Sequence, residues 1–229
     1  MRSALLGRTV EQVVVAPEGN TRRRPLLLLL HGRSSAPDDL DSQELHDALK
    51  RLGKKAPIVV LVNGGDHSYY HDRRDGKWGS YVVREVIPTV VRRYHADRHR
   101  VAIGGFSMGG FGALDIARLH PGRFCAVGGH SAALWDSGGE TPAGAYDDAE
   151  DFAHHDVIGA ARSNPRLYGG TKAWLDVGTE DPFLHADTEL AGLLRGVTFH
   201  VWPGVHGPSY WWPHLDDYLR FYSSALRDC

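Results

Sequence analysis

Val101-Ala102-Ile103-Gly104-Gly105-Phe106-Ser107-Met108-Gly109-Gly110, running on through Phe111 to Leu119, is the stretch that decides how this chain is read. Val101 to Phe106 is an apolar run of strand length, and Gly110 to Leu119 reads as a short helix. At their junction Gly105-Phe106-Ser107-Met108-Gly109 fits G-x-S-x-G. Five residues with three fixed positions recur by chance, so the strand-turn-helix context is what gives the pattern weight. A serine at such a turn sits on strained backbone, and its neighbours must be small for strand and helix to close together. Gly105 and Gly109 meet that need, and Gly104 and Gly110 extend it. The competing reading is a glycine-rich turn with an idle serine.

Outward from this turn, apolar runs and helical periods alternate. Thr9 to Ala16 reads as an edge strand, and Glu18 to Arg24 as a polar turn. Pro25 to His31, Ile58 to Val62, Phe124 to Gly129, Ala173 to Val177 and Val197 to Trp202 read as further strands. Leu40, Leu45, Leu49 and Leu52 recur at helical spacing before Gly53; Ser80 to Tyr94 is helical but interrupted by Pro88, which should kink or restart it. Ala186 to Leu194 and Pro213 to Leu226 complete the helices, while Ser131 to Tyr168 lacks clean periodicity and reads as an irregular excursion with a helical piece or two. This order predicts an α/β fold, a mostly parallel sheet with helices on both faces. Ligand sites in such sheets lie beyond the carboxyl ends of the strands. The loops starting at His31, Asn63, Phe106, His130, Gly178 and Pro203 should therefore open on one rim.

At 229 residues the chain suits a single domain, 1–229, with 131–168 as a small cap-like excursion. Its net charge of -2 comes with neither a basic nucleic-acid footprint nor an acidic tail, so no nucleic-acid partner is expected. Met1 to Val15 holds no signal-like apolar core, and the longest apolar run, Leu26 to Leu30, is too short to span a bilayer. Cys125 and Cys229 read as free thiols in a reducing compartment, which with the missing signal makes cytoplasmic the expected location.

A serine nucleophile needs a base, an acid to orient it, and two backbone N–H donors for the developing oxyanion. In chain order the acid and then the histidine should follow the serine. Asp181 lies in Gly178-Thr179-Glu180-Asp181-Pro182, directly after a strand and on the expected rim. Asp176, inside the strand, and adjacent Glu180 are the alternatives. His206 lies in Pro203-Gly204-Val205-His206-Gly207, also directly after a strand, with His200 and His214 as rivals. One oxyanion donor should be Met108, at the start of the helix after the serine. The other should come from the loop His31-Gly32-Arg33-Ser34, through the backbone of Arg33.

Fourteen histidines raise the question of a metal. His67 and His71 lie four apart in a loop without the H-E-x-x-H glutamate, and His154-His155-Asp156 is a second cluster, but neither shows zinc-site spacing. No metal and no cofactor are expected. Aromatic residues gather in loops near the rim; Tyr69, Trp78, Trp135 and Trp211 are the candidate substrate-binding residues, with Trp135 and Trp211 expected to bracket the substrate.

Several segments together carry a family resemblance: Leu6-Gly7-Arg8, Leu29-Leu30-His31-Gly32, Asn63-Gly64-Gly65 with Ser68-Tyr69-Tyr70, Glu85-Val86-Ile87-Pro88, Gly105 to Gly110, Gly178 to Asp181, and Pro203 to His206. In this order they resemble the esterase D type of esterases, a group that includes S-formylglutathione hydrolases, feruloyl and acetylxylan esterases and mycobacterial mycolyltransferase antigens. The resemblance implies an α/β-hydrolase fold and a triad of Ser107, Asp181 and His206. It also implies oxyanion donors at Arg33 and Met108 and a metal-free hydrolase acting on a small-molecule acyl ester. The chain departs from the pattern in being short and in carrying the bulky Tyr210-Trp211-Trp212 after the histidine loop. Two other functions fit the same residues: an acyltransferase on the same triad, and a non-catalytic binding protein of this fold.

Overall fold

Leu26 to Leu30 and Ile58 to Val62 are buried at every position because both faces of their sheet are covered. Side chains alternate along a strand, so each run feeds two cores. Leu26, Leu28 and Leu30 with Ile58, Val60 and Val62 point to one, and Leu27 and Leu29 with Val59 and Leu61 to the other.

The computed structural model describes residues 1–19 and 21–229; Asn20, in the predicted polar turn, lies outside the described residues. In chain order the elements are β1 (Arg2–Ser3), β2 (Arg8–Thr9), β3 (Val13–Val15), β4 (Leu26–Leu30), α1 (Pro37–Leu40), α2 (Gln43–Leu52), β5 (Ile58–Val62), β6 (Asp72–Arg73), β7 (Gly76–Lys77) and α3 (Trp78–Tyr81). There follow α4 (Ile87–Tyr94), β8 (Val101–Phe106), α5 (Met108–Leu119), β9 (Ala126–His130), α6 (Ala149–His155), α7 (Val157–Ser163), β10 (Lys172–Gly178), α8 (Leu184–Leu193), β11 (Val197–Trp202), α9 (Pro208–Trp211) and α10 (Leu215–Arg227). The main sheet runs β11-β10-β9-β8-β4-β5-β3, and every pairing in it is parallel except β3 with β5. The carboxyl ends of the six parallel strands therefore share one rim.

Two expectations change. The predicted edge strand Thr9 to Ala16 is split: Arg8–Thr9 pairs with Arg2–Ser3, and only Val13–Val15 joins the sheet. Pro88 marks a restart, as expected: it is the second residue of α4, where its missing N–H costs nothing. A π turn over Val82–Val86 precedes it, with the Ile87 N–H bonded to the Val82 carbonyl.

The second correction concerns the cysteines, which are not free thiols. Cys125 and Cys229 form a disulfide across 104 residues of sequence. Helix α10 packs on the second core, where Tyr218, Leu219, Tyr222 and Leu226 meet Cys125, and so delivers the C-terminal Cα to 5.6 Å from that of Cys125. That separation suits a bridge. The inference from free thiols to a reducing compartment loses its premise. Among the described residues no helix is long and apolar enough to cross a membrane.

Candidate active site

Ser107 stands between β8 and α5 with φ 55° and ψ −117°, a left-handed conformation that a serine holds only under constraint. The constraint is visible on both sides. The Ser107 N–H donates to the His130 carbonyl at 3.0 Å, and its own carbonyl accepts from Phe111 and Ala133 at 3.0 Å each. The close approach of strand and helix leaves no room for larger neighbours: a Cβ on Gly109 would lie 2.1 Å from the Leu30 oxygen, and one on Gly105 2.4 Å from the Gly109 backbone.

Asp181 stands three residues beyond β10 and His206 four beyond β11, which brings acid and base to the same place. The two loops are laced together, Thr179 N–H to the Trp202 carbonyl and Glu180 N–H to the Gly204 carbonyl, each at 2.9 Å. Asp181 is buried; its Oδ2 accepts from His206 Nδ1 at 2.8 Å and its Oδ1 from the Phe183 N–H at 2.9 Å. A carboxylate can only accept, so Nδ1 carries the proton and Nε2 is left to accept from the Ser107 hydroxyl, 2.8 Å away. The His206 side chain keeps 24% exposure, so the imidazole is reachable from solvent.

The alternatives fall elsewhere. Asp176 is fully buried under the sheet rim, where it accepts from His130 Nδ1 (2.6 Å), Trp174 Nε1 (2.7 Å), Tyr210 Oη (3.1 Å) and Tyr218 Oη (2.7 Å). Glu180 is exposed. His200 and His214 sandwich Trp202, with ring centroids 4.6 and 3.9 Å from it.

Met108 is the first residue of α5, so its N–H has no acceptor within the helix. The Gly32-Arg33 turn packs beside the serine: a Cβ on Gly32 would sit 3.6 Å from Ser107 Cβ. Its support was not foreseen from the sequence. Buried His31 donates through Nδ1 to the Gly32 carbonyl (2.8 Å) and accepts at Nε2 from the Gly64 N–H (3.0 Å), while the Tyr70 hydroxyl accepts from the His31 N–H (3.0 Å). Desolvation holds the His31 pKa below its ordinary value and keeps the ring neutral, as this bonding pattern requires. Tyr70 itself adopts φ 57°, with its ring lodged where Gly64 has no side chain. The sequence signal for this brace was the set of segments at 31–32, 63–65 and 68–70, with nothing in them to show that they meet.

Of the four aromatic candidates, two line one wall. Tyr69 meets Trp135 at 5.5 Å, Trp135 meets Phe183 at 5.6 Å, and Phe183 meets the His206 ring at 5.2 Å. Phe183, which completes this arc, was missed. Trp211 is buried behind His206 at 5.3 Å and donates to Ser131 Oγ at 3.1 Å, so it backs the imidazole and does not pair with Trp135 across a substrate. Trp78 lies apart, buried between Gly65 and the Arg8 guanidinium, which sits 4.8 Å from its ring centre. A further carboxyl stands behind the site: Asp187, fully buried, makes no hydrogen bond of normal geometry, and burial together with the charges of Asp181 and Asp176 raises its pKa well above the usual carboxyl range.

With this geometry in place, comparison with known proteins is decisive for the family. The "Putative esterase" family matches residues 3–222. The chain belongs to this esterase family. Among curated relatives, esterase Rv1288 of Mycobacterium tuberculosis is 27% identical over 118 residues, covering 48% of this chain and 25% of that protein. The MPT51/MPB51 antigen of Mycobacterium bovis is 28% identical over 191 residues, covering 79% of this chain and 59% of the antigen. The chain thus spans only part of the length of these relatives. A solved ferulic acid esterase superposes with a TM-score of 0.83 at 24% identity, covering 98% of this chain and 95% of that one. The fold is that of the α/β-hydrolase esterases, as expected.

Proposed function

We propose that this chain is a serine esterase that hydrolyses small-molecule carboxylic esters through an acyl-enzyme on Ser107. The observation that carries the reading is the unbroken relay Ser107–His206–Asp181, with both links at 2.8 Å. His206 Nε2 takes the hydroxyl proton as Ser107 Oγ attacks the ester carbonyl carbon. The tetrahedral oxyanion is met by the backbone N–H groups of Met108 and Arg33. Collapse breaks the bond to the alkoxy oxygen, which leaves with the proton from His206. Water then repeats the sequence in reverse and releases the acid. Asp181 fixes the tautomer and stabilises the imidazolium.

Membership of an esterase family and the names of its relatives support the ester as substrate. The arc of Tyr69, Trp135 and Phe183 beside His206 favours a flat or apolar group there. The test is hydrolysis of p-nitrophenyl acetate and butyrate by the wild type and Ser107→Ala, alongside labelling by a fluorophosphonate probe. Turnover and labelling should both vanish in the variant. A wild type that neither turns over nor labels would end this reading in favour of a binding protein.

A further inference from the structure

Away from Ser107, a cavity of about 680 Å³ opens between α5, α6 and the loop before β6. On its wall stand two histidines that the sequence separates by 84 positions, His71 and His155, with ring centroids 4.4 Å apart. Asp151, one turn before His155 on α6, lies between them: its Oδ1 is 3.4 Å from His71 Nδ1 and 3.6 Å from His155 Nε2.

The protons on these rings are set by their other nitrogens. His71 Nε2 is 3.0 Å from the Ala145 carbonyl, which can only accept, so Nε2 carries the hydrogen and Nδ1 presents a lone pair. That Nδ1 makes no hydrogen bond although the His71 side chain is fully buried, and the ionised Asp151 carboxylate beside it is itself only an acceptor. His155 Nδ1 donates to Asp115 Oδ2 at 2.7 Å, which leaves the Nε2 lone pair facing Asp151. Two lone pairs and a carboxylate oxygen therefore converge, all within 4.8 Å of one another. Three acceptors turned on one point repel one another unless a cation sits among them.

We infer that His71 Nδ1, Asp151 Oδ1 and His155 Nε2 bind one divalent cation of the zinc class. Tetrahedral bonds of about 2.0–2.1 Å place neighbouring ligand atoms about 3.3 Å apart. The two separations to Asp151, 3.4 and 3.6 Å, are close to that edge. Two imidazoles and one carboxylate favour zinc over magnesium or calcium, which prefer all-oxygen shells. The Asp115 carboxylate and the Ala145 carbonyl hold the two rings from behind, as outer partners of metal-bound histidines do. The adjoining cavity offers an entry path and a fourth position. The bound ion would tie α6, in the excursion, to the loop before β6 and, through Asp115, to α5.

The test uses tag-free full-length chain, stripped by dialysis against a chelator and titrated with Zn²⁺, Co²⁺ and Mg²⁺. Bound metal per chain is measured by mass spectrometry, coordination by the visible absorption of Co²⁺, and stability by the melting temperature. The expected result is one tight equivalent of Zn²⁺ or Co²⁺, the intense visible bands of four-coordinate cobalt, a rise in melting temperature with Zn²⁺, and no such response to Mg²⁺. Asp151→Asn should abolish the bands, and Asp115→Asn should weaken binding by about 10–100-fold. Glu189→Gln, in the separate group Asp136, His185 and Glu189, should leave them intact. Folded wild type that takes up no tight equivalent would overturn the inference. So would cobalt bands that survive Asp151→Asn or that disappear with Glu189→Gln; a cluster held by protonated imidazoles alone gives the first of these results.

Discussion

Replacing each of two aspartates by asparagine separates orientation of the base from support of the scaffold. Asp176 is fully buried and its two oxygens accept four hydrogen bonds, from His130, Trp174, Tyr210 and Tyr218. Asparagine keeps one carbonyl oxygen and so retains two of these donors. Each lost bond to a buried charged acceptor costs about 1.5–3 kcal/mol, so Asp176→Asn should lose about 3–6 kcal/mol of stability. A small domain has about 5–15 kcal/mol in total, so the variant should fold marginally and unfold at much lower denaturant. Its turnover per folded molecule should stay within a few-fold of wild type, because Asp176 touches neither Ser107 nor His206. Asp181→Asn should behave in the opposite way. Its side chain bonds only His206 Nδ1 and the Phe183 N–H, so less structure depends on it. An amide there permits the wrong imidazole tautomer, a fault worth about 10⁴-fold in kcat in serine enzymes. Denaturant midpoints and p-nitrophenyl acetate kinetics on both variants decide the matter. A stable Asp176→Asn with collapsed kcat, or an Asp181→Asn with near-normal kcat, would refute the assignment.

Two further outcomes follow from buried features. Cys229→Ser should lower unfolding stability by up to about 4–5 kcal/mol, the loop-closure value for a span near 100 residues. The closed loop here spans 104 positions; equal denaturant midpoints with and without reductant would argue against the bridge. Burial, with the charges of Asp181 and Asp176, raises the Asp187 pKa well above the usual carboxyl range, so the folded protein holds this proton to higher pH than the unfolded chain does. Its contribution is full below the unfolded carboxyl pKa and is lost as pH rises toward the folded value. Asp187→Asn removes that titration, so its melting temperature should gain on the wild type progressively from pH 5 to pH 9; a constant difference across that range would show that Asp187 does not titrate as described.

Much of the fold could be read locally. Ile58 to Val62, an unbroken apolar run, and Val197 to Trp202, where apolar residues alternate with Thr198 and His200, are strands over the expected residues, because runs and alternations of that length are strand patterns. Ser107 was legible because a strained turn demands glycines beside it, and His206 because it follows a strand on the predicted rim. Pro88 was legible as a restart because a residue without an N–H fits the first turn of a helix, whereas the π turn before it has no local signature. The excursion 131–168 holds α6 and α7, the helical piece or two expected there; their bounds were not legible because each is only seven residues long and begins at a capping aspartate, Asp148 or Asp156.

By itself the sequence determined the class of fold, the order of its strands along the chain, and the turn that exposes Ser107, since each rests on preferences within a few neighbouring residues. Only the tertiary structure decided that Asp181 and not Asp176 meets His206, that Cys125 bonds Cys229, and that His71 and His155 face one carboxylate. Apart from Asp151 and His155, which share one helix, these pairings join residues from 25 to 104 positions apart. They exist because packing both faces of the sheet brings distant loops and the C-terminal helix into contact, and no local pattern encodes which distant side chain will be waiting there.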